Sequence, residues 1–230
     1  MRQTIFLILL VSGFAVGVFG STQTIAIDAA QPTHYFYTPT PYVNPPYSLI
    51  LSLHEISFAL PYNLQLQASL FDNIGRINVG AKYGILDNLS VGVGLAHTIA
   101  HIGRGNHGIA SWARPRLGAF LTWGPIIGEP VELGITPHFQ AGDRFSVGVD
   151  LGLKVKPVPM WAIIWEVGSS VDVSDNRLYL NTDGGIRISP PSLPFLNFDI
   201  GVDLEEFPVV EHTSPSATVY FDVIFGMVVK

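Results

Sequence analysis

Between Arg144 and Val173 the chain reads RFSVGVDLGLKVKPVPMWAIIWEVGSSVDV, and its residues alternate. Phe145, Val147, Val149, Leu151, Leu153 and Val155 take one face, and Ser146, Gly148, Asp150, Gly152 and Lys154 take the other. A period of two belongs to a strand with one apolar and one polar side. A Pro-containing turn covers 156–160, and the pattern then resumes. Trp161, Ile163, Trp165 and Val167 stand against Ala162, Glu166, Gly168 and Ser170. Each arm has the ~9–11 residues that a tilted strand needs to cross a bilayer. The expectation is a hairpin of a transmembrane β-barrel.

The rest of the chain fits that expectation. Hydrophobic residues make up 48% of it. Yet beyond residue 20 no apolar run approaches the ~18 residues of a spanning helix. The hydrophobicity is dispersed, as alternating strands disperse it. A length of 230 residues suits one β domain. A net charge of −6 argues against a nucleic-acid partner. The absence of cysteine excludes disulfides and thiolate metal sites.

Residues 1–20 have the form of a secretory signal peptide: Arg2, an apolar core over Ile5–Phe19, then Gly20. Residues 21–46 form a Pro-rich N-terminal segment, with prolines at 32, 39, 41, 45 and 46. Residues 47–230 are expected to form the barrel. Strands are predicted near 48–60, 64–72, 76–84, 88–98, 111–123, 130–140, 144–156, 161–173, 177–188, 195–205 and 216–229. Turn signals such as Asp87-Asn88, Gly142-Asp143 and Asp175-Asn176 separate them. The predicted fold class is therefore all-β, an up-and-down antiparallel barrel of about 12 strands, with ten as the lower bound.

The turns fall into two sets. One set is short, and each of its turns has an aromatic beside it: Tyr62, Tyr83, Trp123, Trp161 and Phe195. Aromatics at one level form the girdle expected where a barrel meets the membrane interface. The other set holds the two longest loops, 98–110 and 206–215. Tyr83-Gly84-Ile85-Leu86-Asp87-Asn88-Leu89 resembles a turn common in bacterial outer-membrane barrels, among them outer membrane protein A. The resemblance covers about a dozen residues of one hairpin and supports the class of fold alone. It implies that the short turns are periplasmic, with outer-membrane lipid and the barrel-assembly machinery as partners. On this reading the first predicted strand runs away from the outside, so something in residues 21–46 must cross the membrane. A short strand at Thr22–Asp28 is the first choice and a segment threading the lumen the second.

If the apolar face meets lipid, the other face lines the lumen. Alternation sends Lys82, Arg114, Arg116, His138, Lys154, Lys156 and Arg187 inward, with Glu132, Asp150, Glu166, Asp172, Asp183, Asp199, Asp203 and Asp222. Lys or Arg on the lipid face would cost roughly 2–4 kcal/mol each at mid-bilayer. Lys154 and Glu166, on the two arms of one hairpin, are expected to pair, either as part of a structural ion-pair ladder or as a charge-selecting constriction. His97, His101 and His107 fall in a Gly-containing loop rather than on one helix face, so a metal site is not expected. Gly184-Gly185, inside a predicted strand, is expected to mark a bulge or a tight bend rather than a cation loop. No Gly-x-Ser-x-Gly elbow is present, and His54 and Glu55 lie on opposite faces, so an enzyme is not expected. No cofactor is called for. The sequence points to a small passive pore, with a filled-lumen structural barrel as the alternative and a lipid hydrolase behind both.

Overall fold

The computed structural model describes residues 39–53, 55–69, 76–98, 116–125, 130–142, 145–208 and 217–229. These residues contain twelve strands: β1 Ser48–Leu51, β2 Glu55–Leu60, β3 Leu64–Ser69, β4 Arg76–Leu86, β5 Leu89–Thr98, β6 Arg116–Trp123, β7 Val131–Ala141, β8 Phe145–Val158, β9 Trp161–Asp172, β10 Arg177–Ile188, β11 Leu196–Pro208 and β12 Ala217–Val228. Every strand pairs antiparallel with its sequence neighbours, and β1 closes on β12, so the sheet is a barrel. The closing register runs from Ser48↔Val228 to Leu51↔Phe225.

The stretch expected as one strand over 48–60 is two. Ser52 turns the chain: its amide donates to the Glu55 carbonyl at 2.7 Å, and its Oγ accepts from the Glu55 amide at 2.9 Å. The side chain of Asp222 caps this turn by accepting from the Leu53 amide at 2.8 Å. With that extra strand the barrel closes at twelve, and both ends of the sheet, Ser48 and Val228, lie at the same mouth. No crossing by residues 21–38 is needed to close it. The segment Thr22–Asp28 lies outside the described residues.

That mouth is sewn together turn to turn. The Gly84 amide donates to Asn63 O, Gly124 N to Asn88 O, Lys156 N to Pro130 O, Ser189 N to Met160 O, Gly226 N to Phe195 O and Val229 N to Tyr47 O, all at 2.7–3.0 Å. The short turns thus satisfy the carbonyls and amides that a sheet rim would otherwise leave open. Tyr62 and Asn63 take positive φ values of 65° and 58° in the β2–β3 turn, and Asn176 takes 52° in the β9–β10 turn. The latter turn is fixed by Asp172, whose Oδ1 accepts from the amides of Ser174 at 2.9 Å and Asp175 at 3.4 Å.

The wall is apolar outward and polar inward. On β9, Ala162, Ile164, Glu166 and Gly168 are buried, while Ile163, Trp165 and Val167 between them are exposed. Val93 and Leu95, Leu117 and Leu121, Val147, Val149 and Leu151, and Ile200 and Val202 are exposed in the same way on β5, β6, β8 and β11. A water-soluble barrel would invert this order, because an apolar belt running round the whole molecule far exceeds the few hundred Å² that soluble monomers tolerate. One polar group on the outer face is satisfied locally. Trp165 Nε1 donates to Thr182 Oγ1 at 3.0 Å, and that hydroxyl donates to the Glu166 carbonyl at 2.9 Å. Thr182 sits at the β10 register shift, between Leu180 and Thr182. The bulge is there and not at Gly184-Gly185, which stay in regular register with Val202 and Gly201.

Candidate functional site: the barrel lumen

Among the described residues, the inner wall sets basic side chains against carboxylates. Arg187 on β10 is buried beside its register partner Asp199 on β11. Its Nε donates to Oδ1 at 2.8 Å and an NH2 to Oδ2 at 2.7 Å. Lys154 on β8 donates to Glu132 Oε2 on β7 at 2.8 Å, again across one register pair. His138 Nδ1 on β7 lies 3.0 Å from Asp150 Oδ2 on β8. Lys82, only 1% exposed, feels the charge of Glu55, which itself hydrogen-bonds Ser57. Such pairing is what lets charges sit in a narrow interior, since an unpaired buried ion is far costlier than a hydrogen-bonded one.

The expected Lys154–Glu166 pair does not form. The β8–β9 register places Lys154 opposite Ile164 and Glu166 opposite Gly152. Lys154 instead lies in register with Glu132 on β7. Glu166 belongs instead to a row of acids. Asp183 is opposite Glu166 on one side and Asp203 on the other. No Lys or Arg is in register with any of the three among the described residues.

Of the other inward positions, Asp222 faces Asp199 in register and accepts from Leu53. Asp172 is buried at its turn. Lys156 is half-buried near the short-turn mouth. Arg116 opens β6 in register with Ala96, whereas Arg114 and the histidines 101 and 107 lie outside the described residues. Of the aromatics beside the short turns, Tyr62 is 89% exposed and Tyr83 and Trp123 about half exposed. Trp161 and Phe195 are partly covered. Among the described residues no group of three or more His, Asp or Glu has the geometry to hold a metal ion.

Several lumen residues escaped the sequence reading. Gln65 is fully buried and donates from Nε2 to Ser57 Oγ at 3.2 Å. Thr122 and Thr136 share a 3.0 Å hydrogen bond between β6 and β7. Ser189 Oγ donates to Asn197 Oδ1 at 2.6 Å. Alternation in Leu64-Gln65-Leu66-Gln67 was the available signal for Gln65. Ile164, by contrast, is an apolar residue turned inward, where the partly buried Tyr220 packs on it. The tyrosine ring lies over Gly201, where a Cβ would strike it.

Residues 40–44 also belong to the site. Thr40, Pro41 and Asn44 are buried within the short-turn mouth. Ser90 Oγ donates to the Thr40 carbonyl at 3.4 Å, and the Asn44 amide donates to Gln65 Oε1 at 3.5 Å. Val43 packs on Gly84, whose missing side chain leaves the room.

No protein-family model matches the chain, and no curated protein matches it in sequence. Among solved structures, one described as "NanC porin structure in rhombohedral crystal form" is similar to it. The identity is 10% and the TM-score 0.46, over 80% of this chain and 98% of that one.

Proposed function

We propose that this chain is an outer-membrane barrel that passes small solutes along a narrow, charge-lined path. The apolar outer belt supports the membrane setting, because eight of the twelve strands, β4, β5 and β7–β12, have the 10–14 residues that span a bilayer with hydrocarbon-facing side chains. Closed barrels are the one β architecture that leaves no unpaired edge in lipid. The observation that carries the transport reading is uneven access within the lumen. Side chains of His138, Asp150 and Lys154 stay 26%, 21% and 23% open, whereas Arg187 and Asp199 on the β10–β11 side are 7% and 3% open. Water therefore reaches the β7–β8 wall while the β10–β11 wall, about a quarter-turn round the barrel, is packed. A path of this kind admits small hydrated solutes and sorts them by the charges it passes.

A second reading, a filled structural barrel, draws on the sealed positions. Lys82, Gln65, Ser90 and Thr122 are each at most 1% exposed. Purified protein in planar bilayers separates the two. Discrete conductance steps support the channel. Silence at every voltage, from protein shown to be folded by its far-UV β signal, supports the filled barrel.

A further inference from the structure

We propose that a niche over Gly168, on the inner wall of β8–β10, receives the ammonium group of small amine solutes. The inference deepens the channel reading and rests on it for the passage of those solutes. Gly168 on β9 lies in register with Asp150 on β8 and with Asn181 on β10. All three positions face inward by alternation, and the middle one has no side chain. The two outer side chains lean over it. A Cβ on Gly168 would strike both Asp150 Oδ1 and Asn181 Oδ1, and the next nearest atom is Asn181 Cγ. Two acceptors therefore converge on one point with no donor between them. Asp150 is anchored through its other oxygen, Oδ2, which lies 3.0 Å from His138 Nδ1.

The surroundings favour a cation in that place. Asp150 belongs to the wall that water reaches, with its side chain 21% open, so a solute arrives there from the path. The next inward positions on β9 and β10 are Glu166 and Asp183, opposite each other. Asp183 is only 3% exposed, and its Oδ1 has no hydrogen-bond partner among the described residues. A sealed carboxylate oxygen without a donor is costly unless positive charge stands near it. Among the described residues no Lys or Arg is in register with Gly168, Glu166 or Asp183, which leaves that charge to a ligand. Two converging oxygens are too few for a metal ion, which takes roughly four or more ligands. A primary ammonium suits them better. It has three N–H donors, one for Asp150, one for Asn181 and one for water. Such charge-assisted bonds are strong, yet two of them on an open wall still let a solute leave, as passage requires.

Two organic cations separate hydrogen bonding from charge alone: ethylammonium carries N–H donors, and tetramethylammonium has none. In planar bilayers, reversal potentials give the permeability ratio of ethylammonium to tetramethylammonium. That ratio should fall several-fold from wild type to Asn181→Ala, which leaves Asp150 and His138 in place. It should fall likewise in Gly168→Ala, which puts a methyl group into the niche. Saturation-transfer NMR on the full-length protein in detergent should show ethylammonium bound to wild type and lost from Asn181→Ala, each protein being shown to be folded by its far-UV β signal. An ethylammonium signal as strong in folded Asn181→Ala as in wild type, or one matched by tetramethylammonium, overturns the niche whatever the bilayers show. A permeability ratio that the variants leave unchanged overturns its part in selecting solutes and leaves the channel standing. Binding by NMR with no conductance steps in any of the proteins overturns the channel reading and leaves the niche as a binding site.

Discussion

Arg187 and Asp199 meet face to face across the β10–β11 register, joined by two hydrogen bonds of 2.8 and 2.7 Å and almost shut off from water. This geometry uses the guanidinium fork at two points, which a lysine cannot do. The pair locks two neighbouring strands near the mouth where the N- and C-terminal strands join.

Removing one member should therefore cost far more than removing both. Arg187→Ala is expected to lower unfolding stability by about 3–5 kcal/mol, because it strands a buried carboxylate. Arg187→Met combined with Asp199→Leu should recover most of that loss. Urea unfolding of the protein in lipid vesicles, followed by tryptophan fluorescence, measures both. Equal losses in the single and double variants would show that the packing, not the ion pair, carries the stability.

Lys154 and Glu132 share one 2.8 Å bond on the wet side of the lumen. Neutralising either leaves the other's charge uncompensated beside the proposed path. Lys154→Gln should shift the reversal potential in a salt gradient toward cation selectivity, and Glu132→Gln toward anion selectivity. The double variant should return close to wild type. Shifts of the same sign in both single variants would detach the pair from selectivity.

The class of fold was legible because alternation is written residue by residue and survives without tertiary information. The strand boundary inside 48–60 was missed, although a subtle signal was present. Outward apolar positions run Leu49, Leu51, then Ile56, Phe58, Leu60, a change from odd to even numbers that a turn or a bulge produces. The Lys154 partner was not legible. Alternation fixes which face a residue takes, but the register between strands comes from turns and closure. The β8–β9 register sets Lys154 opposite Ile164, two residues from Glu166, and Glu132 lies directly opposite it on the other neighbouring strand. The seat of residues 40–44 draws on Gln65, Gly84 and Ser90 from three different strands, which no local pattern reveals.

The outward direction of Ile163 sets a further expectation. Ile163→Lys places an ammonium on the apolar belt and should destabilise the barrel in bilayers by roughly 2–4 kcal/mol if the site is near mid-plane. Unfolding in vesicles gives the value. A neutral result would place Ile163 outside the hydrocarbon.

Trp165 and Thr182 give a finer test of the same belt. Thr182→Val removes the hydroxyl that accepts from the indole and donates to the Glu166 carbonyl. In hydrocarbon no water replaces those bonds, so a loss of about 1–3 kcal/mol is expected. Trp165→Phe made together with Thr182→Val should cost less than the sum of the two single changes. Strict additivity in the unfolding cycle would show that the bond carries no coupling energy.

Gly184 and Gly185 are adjacent in sequence and differ in what surrounds them. A Cβ on Gly184 would find ordinary contact, with Trp165 Cδ1 at 3.6 Å. A Cβ on Gly185 would run into the Ile200 carbonyl and the Gly201 Cα. Those are backbone atoms of the paired strand and cannot rotate away. Gly184→Ala should be nearly neutral, whereas Gly185→Ala should cost about 1–3 kcal/mol through overpacking. Forcing β10 and β11 apart at this point would also disturb Tyr220, whose ring lies on Gly201. Thermal unfolding of the two variants side by side decides the matter, and a Gly185→Ala as stable as Gly184→Ala would mean that the two strands have slack to separate there.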